Sequence, residues 1–151
     1  MSGLNLPPFE LKVKKQNNKN YVFDRLRKQF TRLTPEEYVR QHFINYLIEY
    51  KGYPEALMAN EVMIEVGNLK KRCDTVLYDK LMNPVLIVEY KSPSVKITQE
   101  TFDQIVMYNS ALRVPLLIAS NGLEHFCCRI NYETGSYKFE PEIPYHNELF
   151  C

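Results

Sequence analysis

Two short runs of this chain are apolar at almost every position: PVLIV at residues 84–88 and PLLIAS at residues 115–120. A strand with one wet face alternates apolar and polar residues, so a strand apolar throughout must be covered on both faces. Two such strands require a sheet with layers above and below it. Two segments can supply those layers. Thr34-Pro35-Glu36-Glu37 is a strong helix start, with Thr34 as N-cap, Pro35 at the first helical position and Glu37 completing a capping box. That helix should end at Gly52 and bury the stripe Val39, Phe43, Tyr46, Leu47 and Tyr50. A second helix is expected over 98–112, with the stripe Phe102, Ile105, Val106, Asn109 and Leu112.

The rest of the chain reads as strands. An irregular arm at 4–9 precedes a β-hairpin, 10–15 and 21–27, around a polar tip. Strands are expected at 61–66, 70–79 and 85–91, with Gly67-Asn68 as the first turn, and a closing hairpin at 125–132 and 136–140. The order helix, three strands, helix, strand, hairpin predicts an α/β fold. It is a three-layer sandwich whose mixed central sheet is flanked by helices. The first three strands form an antiparallel meander, and the crossover helix brings residues 115–120 alongside it. At 151 residues the chain is one domain in size: arm and hairpin at 1–33, core at 34–121, closing hairpin and tail at 122–151.

Composition narrows the class. With 45% apolar and 25% charged residues the chain is an ordinary globular one, not a disordered one. A net charge of +1 gives no global case for a polyanionic partner, so any such case is local. The N-terminal third is the most basic part, with Lys12, Lys14, Lys15, Lys19, Arg25, Arg27, Lys28 and Arg32. These are either solvated charges or a phosphate-contacting arm. No window is apolar enough for a membrane span and no signal peptide is visible, so a cytoplasmic protein is expected. Cys73, Cys127, Cys128 and Cys151 form no CxxC pair and read as reduced thiols. His42, His125 and His146 lack ligand spacing and read as satisfied structural residues.

The chemistry concentrates at residues 71–93. The chain holds three Glu-x-Lys triplets, Glu10-Leu11-Lys12, Glu49-Tyr50-Lys51 and Glu89-Tyr90-Lys91. Only the last ends a strand covered on both faces and follows a strand that carries an acid, Asp74. Alternation puts Glu89 and Lys91 on one face and Tyr90 on the other. Two carboxylates converging at one strand end repel unless a cation joins them, and Mg²⁺ is commonly held by one or two carboxylates plus substrate phosphate. Such a site could activate water against a phosphodiester, with Lys91 orienting the water or stabilising the charge that develops. The plainer alternative is a strand-end ion pair between Glu89 and Lys91, with Asp74 capping a turn.

Asp74 followed by Glu89-x-Lys91 resembles the PD-(D/E)xK nuclease signature, and the element order resembles the core of that superfamily. Three stretches are more narrowly similar to the N-terminal nuclease domain of type I restriction enzyme R subunits. They are Thr34-Pro-Glu-Glu-Tyr-Val-Arg-Gln41; Arg72-Cys-Asp74 with Val88-Glu-Tyr-Lys-Ser-Pro93; and Asp103-Gln104 with Tyr108-Asn109. The resemblance implies a restriction-endonuclease-like fold and a Mg²⁺-dependent (or Mn²⁺-dependent) deoxyribonuclease. It implies Asp74, Glu89 and the Tyr90 carbonyl as metal ligands, and Lys91 as the catalytic lysine. Glu37 would be the helix acid that approaches the metal, with Glu36 as a substitute and the capping role as the competing explanation. Gln104 and Tyr108 match a Gln-x-x-x-Tyr element that lies near the active site and DNA. Their alternative is an ordinary exposed helix face. The implied partners are DNA and a restriction or motor complex. Two departures stand out: Cys73 replaces the proline of the motif's name, and no GxxxxGK[ST] phosphate loop is present. A non-catalytic nucleic-acid-binding or assembly module on the same fold is therefore the alternative function.

Overall fold

A computed structural model describes residues 3–150. Six strands make the central sheet in sequence order: β4 (Met58–Val66), β5 (Leu69–Tyr78), β6 (Pro84–Tyr90), β7 (Leu116–Ser120), β8 (His125–Asn131) and β9 (Ser136–Glu140). Only the β6–β7 pairing is parallel, and the expected crossover helix α2 (Gln99–Asn109) makes that connection. Helix α1 (Pro35–Lys51) covers one face and α2 the other. The three-layer sandwich is as expected, and the two apolar runs are β6 and β7, side by side at its centre.

The pleat of β6 assigns the two cores. Leu86, Val88 and Tyr90 pack with Val39, Phe43 and Leu47 of α1. Ile87 packs with Phe102, Ile105 and Val106 of α2. Cys127 and Cys128 point into opposite cores, as adjacent strand residues must, and Cys73 is likewise a buried thiol; Cys151 lies outside the described residues.

Helix α1 starts and stops where its sequence says. Thr34 Oγ1 accepts from the Glu37 amide at 3.1 Å, and Gly52 ends the helix at φ 73°, donating to the Leu47 carbonyl. The capping box is only half made, because the Glu37 carboxylate turns to Arg40 and Gln41 instead of the Thr34 amide. Tyr50 is 53% exposed, and Arg40, Gln41, His42 and Asn45 are buried in its stead. The expected N-terminal hairpin gains a third strand and becomes a sheet of β1 (Val13–Gln16), β2 (Lys19–Asp24) and β3 (Gln29–Arg32). Arg25, in the turn between β2 and β3, donates to Gln41 and Asn45 on this second, polar face of α1. β4 also starts three residues earlier than expected, and 110–112 is a 3₁₀ turn instead of the last turn of α2. The imidazole of His146 packs on Tyr53 and Phe150, yet its Nε2 has no hydrogen-bond partner, unlike the satisfied role expected of it.

Candidate active site

β5 and β6 part company at Asp74. Their last registered pair is Thr75 with Val88, so Asp74 and Glu89 stand opposite each other where the ladder opens into a fork. The gap is bridged by a side chain: Asp74 Oδ2 accepts from the Tyr90 amide at 2.9 Å. On the other edge of β5 the ladder to β4 also breaks at this level. Asn60 pairs with Thr75 and Val62 with Cys73, while Glu61 between them has φ 56°. A non-glycine residue held in the left-handed region beside a cluster of charges is stored strain of the kind found at functional sites.

On the α2 side of the fork lies a cleft of about 270 Å³ lined by Glu89, Lys91, Lys71, Gln104, Tyr108 and Asn109, among others. Glu89 and Lys91 therefore share a face and a cavity, as the pleat requires, and Tyr90 points the other way, its hydroxyl bonded to Thr75 at 3.0 Å. The i, i+4 pair Gln104 and Tyr108 faces these two residues across the cleft. Burial and the adjacent Asp74 charge push the Glu89 carboxyl up to about 7, against the pull of Lys71. Lys71, which the sequence did not single out, belongs to this cleft as well. Its Nζ lies 3.1 Å from Glu89 Oε1, 2.8 Å from the Arg72 carbonyl and 4.4 Å from the centre of the Tyr108 ring. The Oδ1 of Asn109, in the same cleft, is buried with no protein partner, although its Nδ2 donates to the Ile105 carbonyl.

On the α1 side a second cleft, about 310 Å³, is lined by Asp74, Tyr90, Glu37, Arg40, Glu61 and Arg27, among others. Here charges are matched. Arg40 donates to both Glu37 oxygens (2.5 and 2.9 Å), to Glu61 (2.8 Å) and to the Asp74 carbonyl (3.0 Å). Burial would lower the Arg40 pKa, but the bonds and charges of Glu37 and Glu61 raise it. Burial works against Glu61 as well, yet its bonds to Arg40 and Arg72 hold its carboxyl below the usual range. Glu37 thus borders the same cleft as Asp74, on the far side of the fork from Glu89, with both oxygens engaged. Glu36 lines this cleft too. Arg40 was legible in the Glu-x-Val-Arg stretch as the i+3 neighbour of Glu37; nothing in the sequence marked Glu61.

Among the described residues no group of three or more His, Cys, Asp or Glu side chains converges to hold a metal by itself. Asp74 and Glu89 face each other at the fork, and burial, reinforced by the Asp74 charge, disfavours the ionised form of Glu89.

A six-stranded mixed sheet between two helices, with an acid on one strand facing Glu-x-Lys on the next, defines a restriction-endonuclease-like α/β domain. The sequence matches the family described as type I restriction enzyme R protein N terminus (HSDR_N) over residues 35–144, and the chain belongs to that family. Its structure is similar to a fragment assigned as an HsdR subunit of a type I restriction enzyme from Vibrio vulnificus YJ016. The TM-score is 0.54 and the identity 21%, covering 78% of this chain and 25% of that one. The chain therefore spans about a quarter of that relative. None of the curated proteins matches it.

Proposed function

We propose that this chain is a metal-dependent deoxyribonuclease domain that hydrolyses DNA phosphodiester bonds with Mg²⁺ or Mn²⁺. The observation that carries the reading is the shared cleft: Glu89 and Lys91 on one face of the β6 end, Gln104 and Tyr108 opposite, and Asp74 against Glu89 at the fork. Asp74 and Glu89, with the Tyr90 carbonyl, would hold the metal, whose chemistry when bound is to acidify a water and neutralise charge on the phosphate. Lys91 orients the attacking water and stabilises the charge that develops on the phosphate. Gln104 and Tyr108 position the strand. Lys71 must leave Glu89 for the site to load, and its long side chain is then free to take a phosphate. Glu37 would join only by giving up Arg40, so its first role is to fix Arg40 beneath Asp74.

The family implies a setting in restriction-modification, and we propose that the domain works on DNA within a larger restriction assembly, since its structural relative is about four times as long as the part it matches. A second reading, a non-catalytic nucleic-acid-binding module, is favoured by one observation: Lys71 already neutralises Glu89. Nicking of supercoiled plasmid separates them. The nuclease reading expects Mg²⁺- or Mn²⁺-dependent nicking by the wild type that disappears in Asp74→Ala and Lys91→Ala. Absence of cleavage on duplex, single-stranded and branched DNA, with salt-dependent binding that survives Asp74→Ala, would establish the second reading instead.

A further inference from the structure

The matched family segment begins at residue 35, so the N-terminal sheet lies outside it. That sheet has two unlike faces. Val22 and Asp24 point inward and are wholly buried against the domain. The outer face presents two rows set by the strand register: Lys14, Tyr21 and Arg32 in one, Lys12, Phe23 and Phe30 in the next. Each cation stands over a ring, Lys14 Nζ 4.2 Å from the Phe30 centroid, Lys12 5.1 Å from Phe23 and Arg32 5.8 Å from Tyr21.

The cations of this sheet fall into two sets. Arg25, Arg27 and Lys28, at the turn between β2 and β3, are all paired with acids: Glu49 and Glu55, Asp24 and Glu37, and Glu55. Among the described residues, Lys12, Lys14, Lys15, Lys19 and Arg32 make no ion pair, and strand alternation puts all of these but Lys15 on the outer face. Glu10 is the one acid that follows the same alternation beside them. Four unpaired cations on one face, three of them over aromatic rings, in a chain whose net charge is only +1, are a local field of one sign.

The sheet is also tied to the fork, through its inner face. The wholly buried Asp24 accepts from Asn60 Nδ2 at 3.0 and 3.1 Å, Asn60 Oδ1 accepts from Thr75 at 2.6 Å, and Thr75 accepts from the Tyr90 hydroxyl at 3.0 Å. Burial alone would raise the Asp24 carboxyl, but bonds from Arg27, Asn60 and two backbone amides hold it low, so this chain of bonds stays charged and fixed. Arg32, at the end of the outer row, lines the α1-side cleft that holds Asp74 and Tyr90, across the fork from Glu89 and Lys91.

We propose that the outer face of the N-terminal sheet docks the phosphate backbone of DNA and feeds it toward the fork. The proposal takes its ligand from the deoxyribonuclease reading and adds the surface that binds it. An anionic membrane fits less well, because the apolar members of the face are half-buried rings under cations, with no side chain free to insert.

The test is fluorescence anisotropy on a short labelled duplex of arbitrary sequence, in EDTA so that cleavage does not enter, over a range of salt. Lys12→Gln/Lys14→Gln/Arg32→Gln is expected to weaken binding on the order of ten-fold or more and to flatten the log K versus log salt slope by about 2–3, at roughly 0.9 per phosphate contact. Lys14→Gln alone should flatten it by about 1. Lys80→Gln/Arg113→Gln/Lys138→Gln removes the same charge elsewhere and should change affinity less than about two-fold. The proposal is overturned if the two triple variants lose affinity equally, or if the protein binds phosphatidylserine vesicles but no DNA. Cleavage by the wild type with undiminished binding in the first triple variant would sink the dock and leave the nuclease reading standing. Binding that is lost in that variant, from a wild type that never cleaves, would do the reverse.

Discussion

On the α1 side of the fork, Arg40 lies between Glu37 and Glu61, and every buried charge there has a partner within hydrogen-bond distance. On the α2 side, Glu89 is almost as deeply placed, yet it faces another carboxylate and is steadied by a single lysine reaching in from β5. The same strand ends serve both sides. A matched network is structural: removing one member leaves a bare charge in a poor dielectric. A mismatched pair of acids is a liability to folding, and what it offers in return is a place for a cation. The contrast separates residues that hold the fork from those that the proposed function has act at it.

Breaking the acting side should have the largest effect. Lys91→Ala is expected to lower plasmid nicking by about 10²–10⁴-fold, the usual range for a residue that positions or transfers the proton, with no fall in the thermal midpoint. Breaking the holding side should do the opposite. Arg40→Met leaves Glu37 buried without its partner and should cost about 3–5 kcal/mol in urea unfolding.

A pH series sharpens the contrast. An acid whose folded pKa is raised destabilises the fold in its ionised form. For Glu89 that penalty is absent below about 4.5, grows as pH rises and is complete above about 7. Glu89→Gln should therefore stabilise the protein by on the order of 2 kcal/mol at pH 8 and hardly at all at pH 4.5, while abolishing nicking. A constant gain across that range would mean that Glu89 carries no burial penalty. The smallest effect is expected from Gln104→Ala and Tyr108→Ala, each lowering cleavage on the order of ten-fold (about 1.4 kcal/mol) through weaker DNA binding, with stability unchanged.

Much of this was legible in the sequence. Two wholly apolar strands required a layer on each face, and helices α1 and α2 supply them. Strand alternation alone placed Glu89 and Lys91 together and Tyr90 apart, because a period of two admits no other arrangement. Gln104 and Tyr108 came to the same cleft by helical spacing. What stayed hidden depends on contacts distant in sequence. Tyr50 fits the helical stripe yet is exposed, while Gln41 and Asn45 are buried and bonded to Arg25 of the β2–β3 turn, polar contacts that no apolar pattern records. Lys71 looks like any lysine in a basic run until β5 and α2 bring Glu89 and Tyr108 around it. Glu61 is marked only by a backbone angle. The Glu37 expectation shows the ambiguity most clearly, since its spacing suits a capping box, an arginine partner and a metal, and the fold engages both oxygens with Arg40 and Gln41.

Calorimetric titration of the protein with Mn²⁺ bears most directly on the difference between the two sides of the fork. Binding is expected in the wild type, lost in Asp74→Asn and in Glu89→Gln, and retained in Glu37→Gln. Binding that survives both fork substitutions, or a wild type that takes up no Mn²⁺ with or without DNA, would contradict the assignment of Asp74 and Glu89 as the cation site.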